Sequence, residues 1–137
     1  RRPMAEAWRD LGVDHVWVVH GSDGLDEITT TGPTNVTEVK GDVMSDFTLS
    51  PQSYGLELAT LDSLRGGVPT ENAAALTDLL DGNASDYRDI VVLNAGAALM
   101  ISGLVDDIPS GMDAATEVID NFRARSLLAQ LVSETNQ

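Results

Sequence analysis

Asp26 and Glu27 are the residues whose type and position best suit them to chemistry. They close the run His20-Gly21-Ser22-Asp23-Gly24-Leu25-Asp26-Glu27-Ile28, which follows a short apolar stretch. Mg²⁺ is a hard cation, commonly held by one or two carboxylates while waters and substrate phosphates complete its octahedron. Two adjacent carboxylates on a glycine-containing loop suit that arrangement. The cation would neutralise a bound or departing phosphate. Chance is the competing explanation. The chain holds 22 acidic residues among 137, so neighbouring carboxylates arise without any function. Asp106-Asp107, in a connection between two helical stretches, is such a pair.

Other side chains offer less. His20 ends the apolar run and has the chemistry of a base or ligand, yet a lone histidine is more often a satisfied structural residue. His15, at the start of the same run, is a weaker candidate. Gly21, Ser22 and Gly24 have the composition of a backbone-amide anion cradle. The Gly-Lys-Ser/Thr element of a phosphate-binding P-loop is absent. No serine has a histidine and acid partnership. There are no cysteines, which excludes disulfides, thiolate metal sites and a cysteine nucleophile. Tyr54, Arg65, Arg88, Arg123 and Arg125 read as surface or interface residues; Arg65, before Gly66-Gly67, could also reach an anion. No catalytic side chain is assigned.

The elements that must position the acidic pair follow from periodicity. Residues 3–11 predict a helix, with Met4, Ala7, Trp8 and Leu11 at helical spacing and Gly12 as its stop. Residues 14–20 predict a strand whose near-continuous apolar centre suits a parallel sheet covered on both faces. Ile28 to Thr31, rich in β-branched residues, predicts another strand that Gly32-Pro33 ends. Residues 36–40 and 43–49 predict a hairpin across Lys40-Gly41-Asp42, an antiparallel departure from the opening pattern. Residues 50–69 read as a long punctuated connection, with helical turns after Ser50-Pro51 and over 60–65, that bridges layers. The last third predicts helices: one over 71–80 capped by Thr70 with Ala73, Ala74, Leu76, Leu79 and Leu80 buried, one capped by Ser85, one from a Ser110/Asp113 capping box, and one carrying the stripe Leu127, Leu128, Leu131 and Val132 after a break near Asn121. Ala95-Gly96-Ala97-Ala98 invites close approach of another backbone. The fold class is α/β, a single segment over 1–137 forming the later part of a layered, mostly parallel sheet with a β-hairpin and several helices. So few strands beside so many helices imply an incomplete sheet.

Charge narrows the function classes. A formal net charge of −14, with 22 acidic and 8 basic residues, argues against nonspecific binding to a nucleic-acid backbone. Lys40 is the single lysine. A lysine-poor, acidic surface with few aromatics suits a cytosol of molar salt, where screening removes self-repulsion. An ordinary acidic soluble protein has the same composition. No stretch approaches the roughly 20 apolar residues of a membrane span. No apolar region follows Arg1-Arg2-Pro3-Met4, so the start does not read as a signal peptide, and the missing initiator Met predicts processing or a fragment. A cytoplasmic location is expected.

Taken together, the motifs identify a family. His-Gly-Ser-Asp-Gly-Leu-Asp-Glu at 20–27 resembles the acidic segment of anthranilate phosphoribosyltransferases. Thr31-Gly32-Pro33-Thr34 resembles the segment that follows it there. So do Arg65-Gly66-Gly67-Val68-Pro69-Thr70-Glu71-Asn72-Ala73 and Arg88-Asp89-Ile90-Val91-Val92-Leu93-Asn94-Ala95, in the same order. The resemblance covers nearly the whole chain. It implies transfer of a phosphoribosyl group from phosphoribosyl pyrophosphate to anthranilate, with release of pyrophosphate, in tryptophan biosynthesis. It implies Mg²⁺ as cofactor, held by Asp26 and Glu27, and a homodimeric full enzyme.

The sequence also departs from the family. The glycine-rich phosphoribosyl pyrophosphate loop, the anthranilate-contacting residues and the N-terminal helical domain all precede the segment that Arg1 matches. The chain therefore reads as the C-terminal part of the enzyme, inactive alone, with the missing N-terminal part as its partner. Asn121-Phe122-Arg123-Ala124-Arg125 replaces a stretch that usually holds smaller residues. Two rival readings stand beside this one: a relative of the pyrimidine nucleoside phosphorylases, and a stand-alone binding domain without activity.

Overall fold

A computed structural model describes residues 1–136 of the chain. Helix α1 (Arg2–Asp10) is followed by strands β1 (His15–Gly21), β2 (Thr34–Lys40) and β3 (Val43–Leu49). A short 3₁₀ turn (Pro51–Tyr54) and an irregular connection lead to helices α2 (Pro69–Leu80), α3 (Asp86–Ile101), α4 (Ile108–Asp120) and α5 (Arg123–Thr135).

The three described strands form one sheet in the order β1-β2-β3, and both pairings are antiparallel. The expectation of a parallel β1 is corrected within these strands: Val16 pairs with Val39 and Val19 with Val36, running in opposite directions. Residues 22–33 join them without a helix. An apolar run reports burial on both faces, and helices cover both faces here whichever way the neighbour runs.

The pleat sorts the strands onto two faces. Trp17, Val19, Val36, Phe47 and Leu49 point toward α3 and the start of α4, meeting Leu93, Ala97, Met100 and Ile108 in the main core. The Trp17 and Phe47 rings pack edge to face at 5.1 Å. The opposite face carries α1, whose Ala5 is fully buried. At that end Arg1 Nη1 donates to Thr37 Oγ1 at 2.8 Å and Arg2 Nη1 to Asp46 Oδ2 at 2.6 Å. A second core, of Leu79, Leu80, Val92, Ala115 and Ile119, lies among α2, α3 and α4.

Several local expectations hold. The hairpin turns at Gly41, with φ of 57°. Ser85 Oγ accepts the Arg88 amide at 3.1 Å and caps α3. The break at Asn121-Phe122 separates α4 from α5. The anticipated close approach is at Gly96: a Cβ there would lie 2.7 Å from the Met112 amide nitrogen.

Others are corrected. The strand over 28–31 is loop. Its polar groups are taken by side chains, not by a ladder, as described below. Helix α2 begins at Pro69 and not after Thr70; the Glu71 carboxylate reaches back to accept the Val68 amide at 3.0 Å. Asn72 locks the preceding loop, accepting from the Gly67 amide and donating to the Gly67 carbonyl. Ala73 and Ala74 are exposed. Helix α4 is capped by Asp107, which accepts the Ser110 amide at 2.8 Å, so the start lies earlier than the Ser110/Asp113 pattern suggests. Leu127, Leu131 and Val132 of α5 are exposed.

Candidate functional site: the acidic loop after strand β1

The loop over residues 22–33 is built by its own polar side chains. Asp23 is the organiser. Its Oδ2 accepts from Thr29 Oγ1 at 2.5 Å and from Thr31 Oγ1 at 2.6 Å. Its Oδ1 accepts the Leu25 amide at 3.0 Å, an Asx turn that bends the chain around Gly24, where φ is 96°. Gly21 makes room for this knot, because a Cβ there would meet the Thr29 side chain at 3.1 Å and crowd Asp23. Burial pushes the Asp23 carboxyl up, but the bonds from Thr29, Thr31 and Leu25 outweigh it and hold it below its usual range.

The far end of the loop is tied to a helix. Asn94, on α3, accepts the Ile28 amide at 2.9 Å and donates to the Ile28 carbonyl at 2.8 Å. The Ile28 side chain is buried against Leu93 and Ala97 of that helix. Thr29 donates its amide to Thr34 Oγ1 at 3.0 Å, and the Thr30 carbonyl accepts the Ala59 amide. These bonds explain why a β-branched run is loop and not strand.

Asp26 and Glu27 stand between the two anchors, both exposed. Burial first, then repulsion from Asp26 and Asp23, raises the Glu27 carboxyl above its usual range. The loop thus concentrates negative charge, and among the described residues no basic side chain is bonded to it. Among the described residues no three or more acidic or histidine side chains gather to hold a metal. The donor set is therefore a pair of open carboxylates and not a cage. That suits Mg²⁺, which keeps waters and phosphate oxygens as its other ligands.

The remaining candidates separate from this site. The anion cradle is corrected: the Gly21 amide is spent on Leu25 O, Ser22 on Pro33 O and Gly24 on Gly21 O. His20 is exposed at the end of β1, paired across the sheet with Asn35. His15 sits at the other end of the strand, with Nε2 2.8 Å from Glu38 Oε1, which also accepts from Trp17 Nε1 at 2.8 Å. Burial pushes the Glu38 carboxyl up, but these bonds prevail and hold it low. Arg65 pairs with Asp62 at 2.9 Å in the 50–69 connection. Tyr54 packs on the main core, and burial pushes its phenol up. Arg125 pairs with Asp81. Of the surface or interface places expected for Arg88, the structure gives it a junction between helices. It is largely buried, donating to Gly82 O and Asp120 Oδ1, both at 2.7 Å, and so joins the ends of α2, α3 and α4.

Sequence reasoning passed over Asp23, Thr29, Thr31 and Asn94. Asp23-Gly24 carried a readable turn signal. Asn94 carried another: a carboxamide on the apolar face of a helix has to be satisfied.

Compared with known proteins, residues 1–125 match the family described as "Glycosyl transferase family, a/b domain". The anthranilate phosphoribosyltransferase of Parvibaculum lavamentivorans is 50% identical over 98% of this chain and 40% of its own length. That of Methylorubrum extorquens strain PA1 is 52% identical over the same shares. The crystal structure of anthranilate phosphoribosyltransferase from Thermus thermophilus superposes with a TM-score of 0.86 and 37% identity, over 96% of this chain and 39% of that one. The Saccharomyces cerevisiae enzyme in complex with PRPP and Mg superposes with a TM-score of 0.73 and 27% identity, over 80% and 32%. The chain spans about 40% of the length of the curated relatives it matches.

Proposed function

The chain belongs to the glycosyl transferase family of this α/β domain, and on that footing we propose that it is the C-terminal portion of an anthranilate phosphoribosyltransferase, serving tryptophan biosynthesis. The observation that carries this reading is the likeness to enzymes of that name over 98% of the chain, acidic loop included. Residues 1–137 form one segment of the phosphoribosyltransferase domain. The rest of the protein supplies the pyrophosphate cradle and the anthranilate pocket. Two features support a covering partner segment: β1 has no described strand on its outer edge, and Met4, Trp8 and Leu11 of α1 are exposed together. The whole enzyme is a homodimer of the cytoplasm. No described helix is long and apolar enough to cross a membrane.

The reaction breaks the anomeric C–O bond of phosphoribosyl pyrophosphate, and the electron pair leaves with pyrophosphate. The amine of anthranilate supplies the pair for the new C–N bond and loses a proton. Negative charge therefore grows on the leaving group while positive charge grows on the sugar. Asp26 and Glu27 would hold Mg²⁺, which supplies the cation that stabilises the pyrophosphate charge. Asp23, Thr29 and Thr31 hold the loop in shape before substrate arrives. No protein nucleophile is required.

Isothermal titration of pyrophosphate into the intact protein tests the reading. The double variant Asp26→Asn, Glu27→Gln is expected to lose the Mg²⁺-dependent part of the binding. Unchanged Mg²⁺ dependence rules the metal assignment out.

A further inference from the structure

We infer that Asn94 is a positioning residue for the metal-binding carboxylates, an inference that rests on the Mg²⁺ reading of Asp26 and Glu27. The residue lies 66 positions from the loop in sequence, yet it forms the loop's only side-chain tie to α3 among the described hydrogen bonds.

A carboxamide is the side chain that offers an acceptor and a donor from one planar group. Asn94 uses both on one residue: Oδ1 accepts the Ile28 amide at 2.9 Å, and Nδ2 donates to the Ile28 carbonyl at 2.8 Å. It replaces the strand partner that Ile28 would otherwise need. Nδ2 also donates to the Ile90 carbonyl one turn back, at 2.9 Å, which holds the carboxamide to its own helix. The orientation is determined by this set, since reversal would point the amide group at the Ile28 N–H. Ile28 is the residue directly after Glu27. Its side chain is 3% exposed and shares the main core with Leu93 and Ala97, so the same helix holds both its backbone and its side chain.

The consequence concerns two like charges. Asp26 and Glu27 are neighbouring residues of like charge, and an unrestrained loop would relax by spreading them. Asp23 clasps the loop across its base, from Leu25 on the entry side to Thr29 and Thr31 on the exit side. Asn94 ties Ile28, the residue next to Glu27, to α3. Only Asp26 and Glu27 remain between Leu25 and Ile28, so the ordering cost of bringing both carboxylates to one cation is met when the chain folds. Without Asn94 that cost falls on metal binding.

The test is binding of Mn²⁺ together with inorganic pyrophosphate by the intact protein, followed by electron paramagnetic resonance and by titration calorimetry. Asn94→Ala is expected to weaken Mn²⁺ binding by about 10-fold or more, the usual size when a group that orients a metal ligand is removed. Metal-free pyrophosphate binding is expected to stay as it was. In turnover, the same variant should need more Mg²⁺ and show a raised KM for phosphoribosyl pyrophosphate, with kcat restored at saturating Mg²⁺. If Asn94→Ala does not fold, Asn94→Gln decides on the same Mn²⁺ readout, since it keeps both hydrogen-bonding groups but moves them one methylene outward. A folded Asn94 variant that is less heat-stable but binds Mn²⁺ as the parent does overturns the proposal. The double variant Asp26→Asn, Glu27→Gln is the control. If it loses Mn²⁺ while the Asn94 variant does not, only the role of Asn94 falls. If the control also binds normally, the metal reading falls and the role of Asn94 with it.

Discussion

Gly96 of α3 and Gly111 of α4 lie against each other so closely that a Cβ added to Gly111 would sit 2.8 Å from the Gly96 Cα. The two helices cross with backbone touching backbone. This contact sets how closely α4 lies on α3, two residues along the helix from Asn94.

Gly111→Ala should therefore be costly although alanine favours helices. The methyl group would overlap backbone atoms that cannot turn aside, and the helices must part. A loss of about 1–3 kcal/mol is expected from overpacking of this kind. Urea unfolding of the intact protein, followed by circular dichroism, measures it. A midpoint equal to that of the parent would show that the crossing yields without cost.

Asp23 gives a prediction in pH. Its carboxyl is held below the ordinary value of 3.8 by the bonds from Thr29, Thr31 and Leu25, which outweigh burial. A group depressed in the folded state contributes stability that is present above its unfolded pKa and lost as pH falls through the folded one. That contribution is complete above about pH 5 and disappears on acidification below 3.8. Asp23→Asn removes the titration. The fall in thermal midpoint between neutral pH and about pH 3 should be smaller in the variant than in the parent. An equal fall would mean that the loop does not depend on the charge of Asp23.

Salt should act on the whole molecule. A formal charge of −14 repels itself, and at 1 M salt the screening length shrinks to about 3 Å. The thermal midpoint is expected to rise steeply from low to molar KCl. A flat response would remove the reading of a surface shaped for a salty cytosol and leave an ordinary acidic protein.

Where the determinants were local, the residues announced the structure. Ser85 before Asp86 and Asp89 marks the start of α3, because a side-chain oxygen must meet the free amides of a first turn. Lys40-Gly41-Asp42 between two alternating runs marks the hairpin, because the turn takes φ of 57° at Gly41. The acidic pair could be singled out by type. Its family could be recognised from the ordered motifs around it.

Other features depended on partners far along the chain. Ile28 to Thr31 has the composition of a strand, but the Ile28 and Thr29 amides go to Asn94 and Thr34 and the Thr29 and Thr31 hydroxyls to Asp23, side-chain partners in place of a ladder. The apolar run of β1 says that both faces are covered and says nothing of the neighbour's direction, which the course of residues 22–33 decides. The sequence left Arg88 as a surface or interface residue, and the ends of α2 and α4 that close around it decide between the two. By itself the sequence determined the net charge, which is a matter of composition, and the hairpin and the start of α3, which follow from neighbours within a few residues. Only the tertiary structure decided what holds the loop that carries Asp26 and Glu27. A hydrogen bond between residues 28 and 94 has no local signature and exists only once the helix has packed on the sheet.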